Sequence, residues 1–123
     1  MKILVVDDEP MTLTVLSKKL TDKGYNVSAV DNSFDALKVI EEQKVDLIIS
    51  DIVMPGMSGF NLLTMLKNFY FLTIPIILIS SFNKENIRLK SKSLGAAEFV
   101  SKPINYDDLF FKIEKYNARP KGM

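Results

Sequence analysis

The sequence predicts an α/β protein in which a parallel sheet lies between helical layers. Three observations predict it. Short, almost uniformly apolar runs recur at residues 3–6, 27–30, 47–49, 76–79 and 96–100. Each is strand-sized and lacks the alternation of a strand with one wet face, so each reads as a strand covered on both sides. Five segments of helical length alternate with these runs, and alternation of this kind implies right-handed crossovers and a doubly wound (βα)5 sheet. The length, 123 residues, suits one domain with a packed core.

The elements follow in order. Strand one, residues 3–6, leads into a helix with Leu13, Leu16 and Leu20 at i, i+3 and i+7. Pro10 suits its first turn and Gly24 its C-terminal cap. After strand two, the second helix carries Ala36, Leu37 and Ile40 on one face. Strand three is followed by the turn residues Pro55-Gly56 and by Gly59, then by a third helix with Leu62, Leu63, Met65 and Leu66. Strand four precedes a weakly amphipathic fourth helix, about Glu85 to Leu94, which Gly95 closes. Strand five precedes a fifth helix with Leu109, Ile113 and Tyr116 on one face. Asn105 is its N-cap, and Asp107 and Asp108 stand in the dipole-favoured first turn. The domain is expected over residues 1–117, with 118–123 a polar tail or the start of a linker.

Composition narrows the chemistry. With 47% apolar and 25% charged residues the chain reads as an ordinary folded domain. It has neither cysteine nor histidine, which excludes disulfides, thiolate or imidazole metal sites, a Ser-His-Asp triad and an internal phosphohistidine. Sixteen basic against fifteen acidic side chains leave a net charge of +1 and no general field favouring nucleic acid or an anionic membrane. The basic residues Lys84, Arg88, Lys90 and Lys92 read as the solvated face of the fourth helix. The N-terminal apolar run of four is far below the roughly 7–15 residues of a signal peptide. No later run approaches the ~20 residues of a bilayer span, so a cytoplasmic protein is expected.

In open parallel sheets ligands sit outside the carboxyl ends of the strands. Here strand one ends in Asp7-Asp8, strand three in Asp51, strand four in Ser80-Ser81 and strand five in Lys102-Pro103. Three carboxylates at one rim repel, and a cation or the lysine must neutralise them. Oxygen ligands alone favour Mg²⁺ or Mn²⁺ over zinc.

The blocks Val5-Val6-Asp7-Asp8-Glu9-Pro10, Ile49-Ser50-Asp51-Ile52-Val53-Met54-Pro55-Gly56-Met57-Ser58-Gly59 and Val100-Ser101-Lys102-Pro103 resemble the signature segments of response-regulator receiver domains. The similarity covers residues 2 to 117, and the blocks fall in order at strand ends. The resemblance implies a flavodoxin-like sheet of strand order 2-1-3-4-5. It makes Asp51 the phosphoacceptor. Asp8, Asp51 and the Val53 carbonyl would ligate Mg²⁺, with Asp7 acting mainly through bound water. Lys102 and the Ser80 hydroxyl would contact phosphoryl oxygens, and a cis peptide before Pro103 would aim the lysine inward.

It also implies a switch in which Ser80 moves toward the phosphate and Phe99 turns inward, changing the surface of helix four, strand five and helix five. Homodimerisation through that surface, or contact there with an output domain or protein, is a further expectation. Because the chain lacks histidine, the donor phosphohistidine must come from a sensor histidine kinase or phosphotransfer protein. Val53 and Phe82, two positions after Asp51 and Ser80, are apolar and cannot hold an attacking water, which implies slow self-dephosphorylation.

Other readings fit less well. A flavin carrier needs a phosphate-binding loop after strand one, where Asp-Asp-Glu-Pro would repel the ligand. A haloacid-dehalogenase-type phosphatase needs an Asp-x-Asp pair there. A pseudo-receiver, a phosphorylation-independent interaction module, is the alternative, and the complete acidic set with Ser80 and Lys102 argues against it. The apolar connection Phe69-Tyr70-Phe71-Leu72 is expected to pack beneath its loop; if its rings are exposed instead, they would form a patch for self-association or partner docking.

Overall fold

The computed structural model describes residues 1–117, in which five strands and five helices alternate without exception. They are β1 (Lys2–Val6), α1 (Pro10–Asp22), β2 (Asn26–Val30), α2 (Ser33–Glu42), β3 (Leu47–Asp51), α3 (Gly59–Asn68), β4 (Ile76–Ser80), α4 (Glu85–Ser93), β5 (Glu98–Ser101) and α5 (Tyr106–Asn117). All strand pairs are parallel, in the order β2-β1-β3-β4-β5. The α/β class and the 2-1-3-4-5 order are therefore as expected. The tail at 118–123 lies outside the described residues. Among the described residues no helix is long and apolar enough to cross a membrane.

The period-two geometry of a strand splits the apolar runs between two cores. Leu4, Val6, Ile48, Ile76 and Leu78 face α2 and α3, whose Ala36, Leu62, Leu63 and Leu66 complete that cluster. Ile3, Val5, Leu47, Ile49, Ile77 and Ile79 face α1 and α5, whose Leu16, Leu20, Leu109 and Ile113 complete the other. β3 and β4 are buried along their whole length. One expectation fails at the edges. Asn26 and Ala29 of β2 are exposed, and β5 is only half-buried, because an outermost strand has a neighbour on one side alone. Residues 96 and 97 precede β5 instead of opening it.

Local chemistry sets the helix ends. Pro10 starts α1. Asn32, Ser58 and Asn105 accept backbone N–H bonds from Asp35, Asn61 and Asp108 at 2.9, 3.1 and 3.0 Å. α4 is the loosest helix, with Ser91 its one fully buried residue.

The connection at 69–72 divides. Leu72 and Tyr70 pack against the α2/α3 core, and the Tyr70 hydroxyl donates to Glu41 at 2.7 Å. Phe69 and Phe71 are 73% and 79% exposed, so for these two rings the expected packing is wrong. Helix α3 ends at Asn68 with Phe69 as its cap, and Phe71 takes a positive φ of 53°, which turns both rings off the core.

Gly59 has a positional role. A Cβ there would lie 2.2 Å from the Asp51 carbonyl oxygen and 2.9 Å from Ile52 Cα, both backbone atoms that cannot swing away. Gly59→Ala is expected to cost about 2 kcal/mol by overpacking. Thermal melts should register it, and an unchanged melting temperature would contradict the tight approach of α3 to the Asp51 backbone.

Candidate functional site

The parallel register brings the ends of β1, β3, β4 and β5 to one edge. Val6 pairs with Ser50, Asp51 with Ile79 and Ser80 with Ser101, so Asp7, Asp51, Ser80 and Lys102 all emerge there. One carboxylate oxygen from each of Asp7, Asp8 and Asp51 lies within 4.8 Å of the others. Asp7 and Asp51 are buried and Asp8 is exposed.

Lys102 reaches into this cluster from the last strand. Its Nζ lies 3.0 Å from Asp7 Oδ2, 3.3 Å from Glu9 Oε1 and 3.4 Å from Asp51 Oδ2. The Lys102–Pro103 bond is cis. Glu9 was absent from the sequence-derived set, although it directly follows the two aspartates. Only the fold reveals that it shares the ammonium of a residue 93 positions away.

One lysine does not balance these acids. Burial pushes the Asp51 carboxyl up to about 6, the neighbouring Asp7 adds to the rise, and Lys102 only partly opposes it. For Lys102, burial pulls the pKa down, but the adjacent Asp7 and Asp51 carboxylates outweigh it and the net direction is up. Glu9 is held below the ordinary carboxylate range by Thr12 first and then by Lys102.

The donor set fits a hard divalent cation. Asp7 Oδ1 accepts the Glu9 N–H at 2.9 Å, whereas the buried Asp7 Oδ2 has no aligned hydrogen-bond donor, only the Lys102 ammonium beside it. Carboxylate oxygens from three residues within reach of one another suit Mg²⁺ or Mn²⁺.

A cavity of about 400 Å³ opens over the cluster, lined by Asp51, Lys102, Ser80, Val53 and Phe82 among others. Ser80 is buried, and its Oγ accepts the Phe82 N–H at 3.0 Å, which leaves its own proton free to donate. Val53 and Phe82 are 53% and 60% exposed at the rim. Phe99 is not among the residues lining this cavity. It is half-buried against the α2/α3 core and lines a separate groove beside α4.

The loop that carries Val53 is tied from two sides. Gly59 N–H donates to the Ile52 carbonyl at 2.8 Å, and the buried Ser33 hydroxyl donates to the Met57 carbonyl at 2.8 Å. Nothing in the local pattern around Ser33 signals the second tie, since it joins residues 24 apart.

Comparison with known proteins agrees with this arrangement. The family model for the response regulator receiver domain matches residues 3–114. The response regulator GtcR of Aneurinibacillus migulanus is 37% identical over 84% of the chain, which spans 42% of that protein. Protein PilH of Pseudomonas aeruginosa is 31% identical over 88% of the chain and 90% of its own length. The chain thus spans about half or less of the first curated relatives it matches. Among solved structures, the response regulator protein TrrA of Thermotoga maritima, in complex with Mg²⁺-BeF, is 35% identical with a TM-score of 0.82, covering 94% of this chain and 97% of that one. With the acids of β1 and β3 gathered around the β5 lysine and a family match over nearly all the described residues, the chain belongs to the response regulator receiver domain family.

Proposed function

We propose that residues 1–117 form a receiver unit in which Asp51 accepts a phosphoryl group from the phosphohistidine of a sensor kinase or phosphotransfer protein. The observation that carries this reading is the convergence of Asp7, Asp8, Asp51 and Lys102 beneath one open cavity. The Asp51 carboxylate attacks phosphorus in line; its O–P bond forms as the P–N bond to the donor imidazole breaks, and the imidazole leaves as the neutral ring once protonated. Lys102, 3.4 Å from Asp51, shifts its ion pair to a phosphoryl oxygen and keeps its proton. The Ser80 hydroxyl donates to another. Asp8, Asp51 and the Val53 carbonyl, with Asp7 behind them, would hold Mg²⁺, which when bound neutralises charge on the phosphoryl oxygens.

Ser80, drawn toward the phosphoryl group, vacates space for Phe99, and the change reaches the surface of α4, β5 and α5. The loose packing of α4 supports this route. The Mg²⁺-BeF complex of the Thermotoga maritima relative supports the ion and phosphoryl chemistry. A role inside the cell fits a kinase partner.

The test is incubation with acetyl phosphate and Mg²⁺, followed by intact mass and peptide mapping. One phosphoryl group should be gained, map to Asp51 and be prevented by EDTA. No gain would leave the phosphorylation-independent interaction module as the reading, and a gain mapped elsewhere would move the acceptor away from Asp51.

The lifetime of the phosphorylated form provides a second expected result. Val53 and Phe82 offer no hydrogen bond to a water approaching phosphorus. Val53→Asn with Phe82→Glu is expected to shorten the half-life about tenfold, the effect of about 1.4 kcal/mol in the barrier. Phosphate release after removal of the donor measures it, and equal half-lives would reject this role.

A further inference from the structure

Of the charged residues gathered at the site, Glu9 alone has no task in the phosphoryl chemistry above. It is the N-cap of α1, yet its side chain caps no backbone N–H. Ser, Thr, Asp and Asn serve best there, because a short side chain reaches back to the helix. The longer Glu9 reaches elsewhere. Its Oε1 accepts from the Thr12 hydroxyl and lies 3.3 Å from Lys102 Nζ. Its N–H donates to Asp7 Oδ1 at 2.9 Å and its carbonyl accepts the Leu13 N–H at 3.0 Å, so backbone and side chain are both held.

Charge decides what a carboxylate does in that place. The cavity of about 400 Å³ over Asp51 is lined by Asp8, Glu9 and Asp51, and Lys102 is the one cation among its lining residues. A divalent ion held by the aspartates, together with the Lys102 ammonium, sets three positive charges against Asp7, Asp8 and Asp51. The aspartates are then balanced, and Glu9 is the surplus. Its side chain is 57% exposed, at a rim shared with a neighbouring cavity of about 470 Å³ that Lys102 also lines. Among the described residues Lys102 is the only cation within 4.0 Å of Glu9, and a phosphoryl group that draws Lys102 away leaves this carboxylate unpaired beside it.

We propose that Glu9 is a specificity-determining residue that tells phosphodonors apart by charge. It slows transfer from a free anionic acyl phosphate and spares a donor whose leaving nitrogen is positively charged, as in a protonated phosphoramidate or phosphohistidine. Thr12 is its positioning residue, since that hydroxyl holds Oε1 at the rim. The proposal rests on the reading of Asp51 as the acceptor. A purely structural role for Glu9, anchoring α1 or Lys102, would alter transfer from every donor alike.

The experiment uses the full chain with saturating Mg²⁺ and two donors, acetyl phosphate and phosphoramidate, and follows uptake by intact mass and peptide mapping. In both reactions an Asp51 oxygen supplies the electron pair of the new O–P bond. From acetyl phosphate the P–O bond breaks and acetate leaves; from phosphoramidate, its nitrogen already protonated, the P–N bond breaks and ammonia leaves. Glu9→Gln should speed transfer from acetyl phosphate about fivefold, the effect of two unit charges about 4 Å apart in water, and from phosphoramidate by less than about twofold. Glu9→Asp should keep the parent's ratio between donors, and Glu9→Lys should move it beyond that of Glu9→Gln. Thr12→Val should shift the ratio in the same direction by less. Added salt should speed acetyl phosphate transfer to the parent chain and leave Glu9→Gln nearly unmoved. Beryllofluoride, an anion that binds with no donor bond to break, should bind Glu9→Gln about fivefold more tightly, read by fluorine NMR. Circular dichroism verifies that each variant is folded.

Equal acceleration with both donors, no acceleration with acetyl phosphate, or a Glu9→Asp ratio that follows Glu9→Gln would each overturn the proposal and leave Asp51 as the acceptor. So would acetyl phosphate transfer to the parent chain that slows as salt rises, a measurement that needs no variant. No uptake by the parent chain from either donor, or uptake mapped away from Asp51, would overturn the receiver reading and this inference with it.

Discussion

Asp51→Asn is expected to abolish phosphoryl acceptance and, in metal-free protein at pH 7, to make the fold more stable. The first effect follows from chemistry, because an amide oxygen is no nucleophile toward phosphorus. The second follows from the site. Asp51 is buried beside Asp7, and its pKa rises from 3.8 to about 6. The folded chain therefore holds this proton more tightly than the unfolded chain does. Between about pH 4 and pH 6 stability falls as pH rises, and above that range the whole penalty is present. The shift corresponds to about 3 kcal/mol at 1.36 kcal/mol per unit, and the solvent-open cavity reduces this to about 1–2 kcal/mol. Asn keeps the shape and removes the charge. Calorimetry in EDTA should show a melting temperature raised by roughly 5 °C at pH 7, with the gain gone near pH 4. A variant less stable than the parent at pH 7 would contradict the crowded-carboxylate account.

Lys102→Met should act in the opposite direction. The side chain of Lys102 is 12% exposed, and among the described residues its ammonium is the only cationic partner of the buried Asp7 Oδ2, at 3.0 Å. Removing one member of such a pair leaves a buried charge without compensation and costs about 3 kcal/mol. The folded pKa of Lys102 is raised, so the stability it contributes is complete below its unfolded pKa of about 10.5 and is lost only as pH climbs through the folded value. The variant should melt lower at pH 7, regain part of the loss on acidification as the carboxyls protonate, and regain more with millimolar Mg²⁺, through binding to the folded state alone. Phosphoryl uptake should slow with Asp51 unchanged. A melting temperature insensitive to both pH and Mg²⁺ would show that the acids are not held together by this lysine.

These two results have opposite signs because one site holds more negative charge than its lysine balances. Each aspartate was legible before the fold was known. Asp7, Asp8 and Asp51 follow apolar runs of strand length, and a parallel sheet gathers the ends of such runs at one edge whatever lies between them. The helix ends were legible for a similar reason, since Pro10, Asn105 and the closing glycines act within one turn of where they stand.

The edges and loops were not. Residues 27–30 have the composition of a covered strand, yet β2 is outermost and half-wet, which depends on strand order and not on composition. Phe69 and Phe71 have the same side chain as any core phenylalanine, and their exposure follows from where α3 ends and how the chain turns at Phe71.

The amino-acid sequence by itself determined the α/β class, the alternating elements and which residue types close each strand, because periodicity and capping act over a few residues. Only the tertiary structure decided that Glu9 shares Lys102, that Ser33 ties the loop carrying Val53, and that Arg88 lies on Phe99. Those contacts join residues 11 to 93 positions apart through flexible side chains, and their distances are set by sheet register and helix packing, which no local pattern encodes.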